Sequence, residues 1–111
     1  MAKHAGDLRY AAGALSQAVY RLATCSGDIR ERLLNAFHEL APVTEQDVPP
    51  YLRAEFRTIR ADLTRRQPRY GEGTVQATLH GMRSSTGGRI ARQICRLERK
   101  VREHLRNLEQ S

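Results

Sequence analysis

The stretch that decides the fold is residues 90–108, which read IARQICRLERKVREHLRNL. Its apolar side chains recur every three or four residues, which is the period of an α-helix with one buried face. On a projection of about 100° per residue they fall within an arc of roughly 80°, and the basic side chains lie opposite. The spacing predicts a long amphipathic helix over residues 87–109. The apolar positions are Ile90, Ile94, Leu97, Val101, Leu105 and Leu108.

The same period recurs upstream and predicts four more helices. Asp28 followed by Glu31 has the form of a capping box at a helix start, and Pro42 ends that helix because proline cannot continue it. Turn-forming residues at 67–73 and at 84–88 predict connections. The predicted helices cover residues 7–24, 28–41, 50–66 and 74–83, ahead of the one over 87–109.

No alternating strand pattern competes with these helices, so the sequence predicts an all-α fold. Short connections favour a compact antiparallel bundle of four to five amphipathic helices, with a long C-terminal helix. A chain of 111 residues without internal repeats predicts a single helical domain over residues 1–111. The longest run without a polar side chain, Ala11 to Leu15, is far shorter than the roughly 20 residues of a membrane span. We therefore expect no membrane contact and a cytoplasmic location.

The charge is strongly basic and unevenly distributed. The net charge is +7, and 17 of the 19 basic side chains are arginine. Residues 1–48 carry five basic and six acidic groups, whereas residues 49–111 carry fourteen and six. A genome rich in G and C explains the arginine content but not this distribution. A one-sided positive field attracts polyanions, and the arginine fork suits phosphate or carboxylate.

Several arginines have no acidic residue three or four positions away, where a helical ion pair would form. Like charges at these spacings cost a few tenths of a kcal/mol per pair, which an external anion would offset. Later in the last helix, acidic residues stand within pairing distance, and we expect Glu98 to pair with Arg102, Glu103 with Arg99 and Glu109 with Arg106. The unpaired arginines are Arg89, Arg92 and Arg96 on the last predicted helix and Arg53, Arg57 and Arg60 on the third.

Three kinds of anion remain open for these arginines. The first is the phosphate backbone of RNA or DNA, and the second is an acidic surface on a partner protein. The third is pairing within the chain, for which the acidic residues are Asp7, Glu39, Glu45 and Asp47.

The segment Ser84–Gly88 has two interpretations. Beside Arg83, a helix N-terminus here offers free N–H groups that suit a phosphate. A plain N-cap at Ser85 or Thr86 explains the same residues and is the interpretation we favour.

Two short resemblances concern the last two helices. Ala77 and Gly81, four residues apart, resemble the first helix and turn of a DNA-binding helix-turn-helix, which implies major-groove reading. The resemblance departs where Gly87 stands in place of a buried branched residue. Arg99 and His104 resemble the Arg-x4-6-His signature of HEPN ribonucleases, with Lys100 in place of the usual polar residue. That resemblance implies metal-independent RNA cleavage by a dimer, with His104 as the acid–base group and Arg99 on the phosphate.

The remaining residues give no sign of a catalytic or metal site. The four histidines and two cysteines stand in no metal-ligand spacing, and Cys25 and Cys95 are expected to be reduced thiols. The sequence predicts no cofactor, no metal and no catalysis. In size, charge and helical character the chain is similar to small helical subunits of RNA-guided bacterial complexes.

We therefore predict a non-catalytic accessory or regulatory protein that binds nucleic-acid backbone with little sequence specificity. The alternative is an adaptor or antitoxin-like regulator that binds an acidic protein, and the third is a HEPN-like ribonuclease. The heptad-like spacing of the last helix also suits a partner helix, so a homodimer or a larger complex is open. The predicted anion-binding residues are Arg53, Arg57, Arg60, Arg83, Arg89, Arg92 and Arg96.

Overall fold

The computed structural model describes residues 7–65 and 73–111. Within them the chain forms five α-helices, two short 3-10 turns and no strand. The predicted all-α bundle with a long C-terminal helix is confirmed. The helices are α1 (Leu8–Thr24), α2 (Ile29–Leu40), α3 (Arg53–Leu63), α4 (Thr74–His80) and α5 (Ser84–Gln110), and the 3-10 turns cover Glu45–Asp47 and Pro50–Leu52.

The core forms where α5 packs against α1, α2 and α3. The apolar positions of α5 from Ile90 to Val101 are fully buried, as the helical period predicts. Beyond them Leu105 is half-buried and Leu108 is exposed, so the last turns of α5 leave the core. No described helix is both long enough and apolar enough to cross a membrane.

The capping box at the start of α2 is present. The Asp28 carboxylate accepts hydrogen bonds from the N–H groups of Arg30 and Glu31, at 2.9 and 3.3 Å, and Glu31 accepts one from the Asp28 N–H at 3.2 Å. Gly27 precedes the box with a φ of 102°, in the left-handed region that favours glycine. The sequence signature and the local backbone therefore agree here.

A buried carboxylate fastens the start of α1 to the segment between α2 and α3. Asp47 is 1% exposed and accepts hydrogen bonds from the Asp7 N–H at 3.1 Å and the Thr44 N–H at 2.9 Å. The Thr44 hydroxyl donates a third bond at 3.1 Å. Because a buried carboxylate needs such donors, this cluster fixes the chain ahead of α3.

Four helix boundaries differ from the sequence prediction by three residues each, and three of them belong to α3 and α4. The 3-10 turn at 50–52 takes the place of the predicted start of α3, so the helix begins at Arg53 rather than at 50. It ends at Leu63 rather than at 66. Residue 66 and most of the predicted loop at 67–73 lie outside the described residues. The helix α4 ends at His80 rather than at 83, and the Arg30 guanidinium binds the Met82 carbonyl at 3.1 Å.

The start of α5 was also predicted wrongly. The helix begins at Ser84, its N-cap is Arg83 rather than Ser85 or Thr86, and residues 84–88 are helical rather than a turn. Gly87 is buried against α2, where a Cβ atom would lie 3.0 Å from Ile29 Cγ2. The glycine therefore permits close helix packing instead of a bend.

Candidate nucleic-acid interface

The arginines of α3 bind groups within the chain. Arg53 Nε donates to the carbonyl oxygens of Glu45 and Val48, at 2.8 and 3.0 Å. Arg57 forms an ion pair with the Glu45 carboxylate at 2.7 Å. Both guanidinium groups are therefore engaged by the segment that connects α2 to α3.

Arg60 is held still more closely. Its Nη2 atom donates to the carbonyl oxygens of Val43 at 2.7 Å and Leu40 at 3.3 Å. Its guanidinium carbon lies 5.1 Å from the centroid of the Phe56 ring and 5.9 Å from that of Phe37. Burial lowers the pKa of this guanidinium, although Glu45 acts in the opposite direction. Arg60 thus joins the end of α2 to α3.

Three neighbouring arginines of α5 differ from those of α3. Arg92, Arg96 and Arg99 are exposed and have no hydrogen-bond or ion-pair partner among residues 7–65 and 73–111. At about 100° per residue they lie within an arc of roughly 60°, opposite the buried side, and span about 10 Å along the helix. We call these three residues the arginine face.

Two predicted anion-binding residues flank this face near the start of α5. Arg83, the N-cap, is exposed, and its guanidinium has no partner within the described part of the chain. Arg89 lies 3.4 Å from the Asp62 carboxylate, which Arg65 also contacts at 2.6 Å. The contact of Arg89 with Asp62 is the longer of the two, and the Arg89 side chain stays largely exposed.

Sequence reasoning missed Arg99, for which it predicted a pair with Glu103. Neither side chain has a partner in the described ranges, whereas Glu98 and Arg102 do pair, at 3.0 Å. An acidic residue four positions before a basic one pairs better than the reverse order. The order of the two residues could have indicated from the sequence that they do not pair, since Arg99 precedes Glu103.

The third predicted pair of the last helix also did not form. Glu109 contacts Arg9 of α1 at 2.9 Å instead of Arg106. Arg106 has no partner within 7–65 and 73–111. The far end of α5 therefore carries one further exposed guanidinium, separated from the arginine face by Glu103.

One side of α5 faces α3 and carries two contacts one helical turn apart. Lys100 Nζ lies 2.6 Å from the Glu55 carboxylate, and His104 Nδ1 lies 3.4 Å from the Tyr51 hydroxyl. A groove of about 350 Å³ opens beside the Lys100–Glu55 contact. It is lined by Ala54, Glu55, Thr58, Ile59, Gln93, Arg96 and Lys100, and the buried Gln93 Oε1 has no hydrogen-bond partner.

The two residues of the HEPN-like spacing lie on different sides of α5. His104 is half-buried, with its ring centroid 5.6 Å from that of Tyr51. Arg99 belongs to the exposed face, about 140° around the helix at 100° per residue. In the described residues no three histidine, cysteine or acidic side chains converge as a metal site would require.

The segment that resembles a helix-turn-helix has a three-residue connection, residues 81–83, between α4 and α5. Ala77 and Met82 are buried as such a turn requires. Gly87 is buried too, but against α2, so the packing that holds the start of α5 comes from outside the two-helix unit.

The two cysteines are free thiols. Cys25 is half-buried at the end of α1, and Cys95 is exposed on α5 between Arg92 and Arg99. Partial burial, with a smaller effect of Glu98, raises the pKa of the Cys95 thiol.

No family model matches the chain, and none of the curated proteins or solved structures compared with it matches either.

Proposed function

We propose that the protein binds the phosphate backbone of nucleic acid through the arginine face, as a non-catalytic accessory protein of the cytoplasm. The observation that carries this proposal is the contrast between Arg92, Arg96 and Arg99 and the arginines of α3. The α3 guanidinium groups are satisfied within the chain, whereas these three lie side by side in solvent without a carboxylate.

The electrostatics of α5 favour an external anion. Three guanidinium groups at spacings of three and four residues repel one another by a few tenths of a kcal/mol per pair. A row of phosphates removes this repulsion and releases counterions from the polymer, which favours binding further. Phosphate contacts carry no sequence information, so we propose little sequence specificity.

The composition of the surface favours a polyanion over an acidic protein. The fully buried centre of a protein interface is rich in aromatic and apolar side chains. Apart from further arginines, the exposed positions around the arginine face include Ser85, Cys95 and Glu103, none of which is a large apolar residue. The adaptor and ribonuclease alternatives remain predictions that the experiment below also addresses.

The test is fluorescence anisotropy with labelled single-stranded RNA, single-stranded DNA and duplex DNA over a range of salt concentrations. The variant is R92A/R96A/R99A. The matched control is R9A/R21A/R57A, which removes the same charge from exposed arginines that are already paired. Removing three phosphate contacts lowers the slope of log K against log salt by about 2 to 3. We expect that loss in the first variant only.

Two outcomes would overturn the proposal. If the wild-type protein binds none of the three polymers at low salt, the proposal is wrong and an acidic protein becomes the favoured partner. If both variants lose affinity equally, net charge rather than the arginine face governs binding. The rate of alkylation of Cys95 locates the binding surface independently. Bound polymer should protect this thiol and leave the alkylation rate of Cys25, at the end of α1, unchanged. Cleavage of the RNA that requires His104 would establish the ribonuclease instead.

A further inference from the structure

Tyr51 is an exposed aromatic side chain that contacts the His104 ring of α5. It is 65% exposed and stands in the 3-10 turn Pro50–Leu52, between the buried residues Pro49 and Leu52. The His104 ring lies against it, with the centroids 5.6 Å apart and the planes tilted by 54°. A ring that already has such a neighbour loses less conformational freedom when it binds a flat ligand than one without contacts.

The position of Tyr51 relative to the arginine face is set by α5. His104 follows Arg99 by five residues and Arg96 by eight, which is about 7 Å and 12 Å along the helix axis. Lys100 lies between them on the side that faces α3. Around the helix, His104 is about 80° from Arg96 and about 140° from Arg99. A strand that leaves the arginine face at Arg96 therefore reaches Tyr51 by passing around the α3 side of α5, where Arg96 and Lys100 line the groove.

Glu103 determines the direction in which a bound polyanion leaves the arginine face. Its carboxylate is exposed, has no partner in the described residues and continues the line of Arg92, Arg96 and Arg99 along α5. A phosphate that followed this line would be repelled. A polyanion that leaves the arginine face toward His104 meets no unpaired carboxylate among the described residues, because Glu55 is already bound to Lys100.

We propose that Tyr51 is a stacking platform for an unpaired base, so that the polymer bound by the arginine face is single-stranded. This inference rests on the proposed function and specifies its substrate. Bases of a single strand stack on aromatic side chains whatever their sequence, whereas the bases of a duplex are already stacked on one another. Phosphates bind the arginine face while a base further along the same strand covers the Tyr51 ring.

The test compares Y51A with Y51F, which keeps the ring, and with Y20A. Tyr20 is the matched control, because it is 57% exposed but stands on α1. The probes are a labelled oligouridylate, a labelled oligothymidylate, a duplex of the same length and an oligothymidylate with abasic sites. The first two probes separate RNA from DNA. Affinity is measured at one low salt concentration, and circular dichroism checks that each variant is folded.

We expect Y51A to bind both single strands at least about fivefold more weakly, while Y51F and Y20A stay within about twofold of the wild type. Duplex affinity and the salt slope of Y51A should not change, because no phosphate contact is lost. The wild-type protein should bind the abasic strand as weakly as Y51A binds the normal strand.

The outcomes separate this inference from the proposed function. If the wild-type protein binds the polymers and Y51A binds single strands equally well, the stacking platform is wrong and backbone binding stands. Equal affinity of the wild-type protein for the normal and abasic strands would also refute stacking, even if Y51A were poorly folded. Failure of the wild-type protein to bind any polymer overturns both proposals.

Discussion

Replacing Arg60 by alanine should destabilise the fold. Hydrogen bonds from a charged donor contribute about 1.5 to 3 kcal/mol, and Arg60 donates to the carbonyls of Leu40 and Val43. Cation–π contacts with the rings of Phe37 and Phe56 add about 0.5 to 1 kcal/mol each at partly exposed sites. Because the side chain is only half-buried and both hydrogen bonds come from Nη2, we count them as one bond at the low end of its range, add the low end for each ring, and expect a loss of about 2 to 3 kcal/mol.

The assay is urea unfolding followed by circular dichroism, with the free energy of unfolding extrapolated to water. Arg92→Ala is the control, since an exposed arginine without partners should change stability by less than about 0.5 kcal/mol. Arg60→Met keeps most of the apolar stem and separates packing from the polar contacts. If Arg60→Ala were as stable as Arg92→Ala, the contacts of Arg60 would contribute nothing, and its assignment to the fold would be refuted.

Further substitutions test the helix ends and the surface. Gly27→Ala should cost more than about 1 kcal/mol, because its φ of 102° is strained for alanine and a Cβ would collide with Glu31. Gly13→Ala should gain about 1 kcal/mol, since nothing lies within 4 Å of the added Cβ; a loss would show hidden crowding. Hydrogen bonds from Arg30 and from backbone N–H groups lower the pKa of Asp28, so its contribution is present above the unfolded pKa and is lost as the pH falls through the folded one. Urea midpoints should therefore distinguish Asp28→Asn from wild type near neutrality and converge in acid; a constant difference would contradict this.

The helices could be predicted because their pattern is local. The buried side of α5 follows from the apolar spacing of residues 90–101, and the capping box follows from Asp28 and Glu31 alone. The start of α5 could not be predicted in the same way. Gly87 lies against Ile29, and the close approach of two helices distant in sequence leaves no local signal. A pair of glycines after serines is more typical of a turn.

The candidate site was predicted in part for a similar reason. A search for acidic residues three or four positions away detects only pairs within one helix. Arg53 and Arg60 bind backbone carbonyls of the segment before α3, and every residue has a carbonyl, so sequence carries no sign of that contact. Arg92 and Arg96 were identified because the positions that matter for them lie on the same helix, three or four residues away. Tyr51 was missed because its neighbour His104 stands on another element.

The position of α5 in the chain bears on how the protein folds during synthesis. Its residues Ile90, Ile94 and Leu97 complete the core against α1, α2 and α3, yet they leave the ribosome after the helices that they cover. Until then the parts of α1, α2 and α3 that face α5 are uncovered. Incomplete chains with uncovered apolar surface are prone to aggregate, so a nascent chain that stalls before residue 90 should depend on chaperones or be degraded.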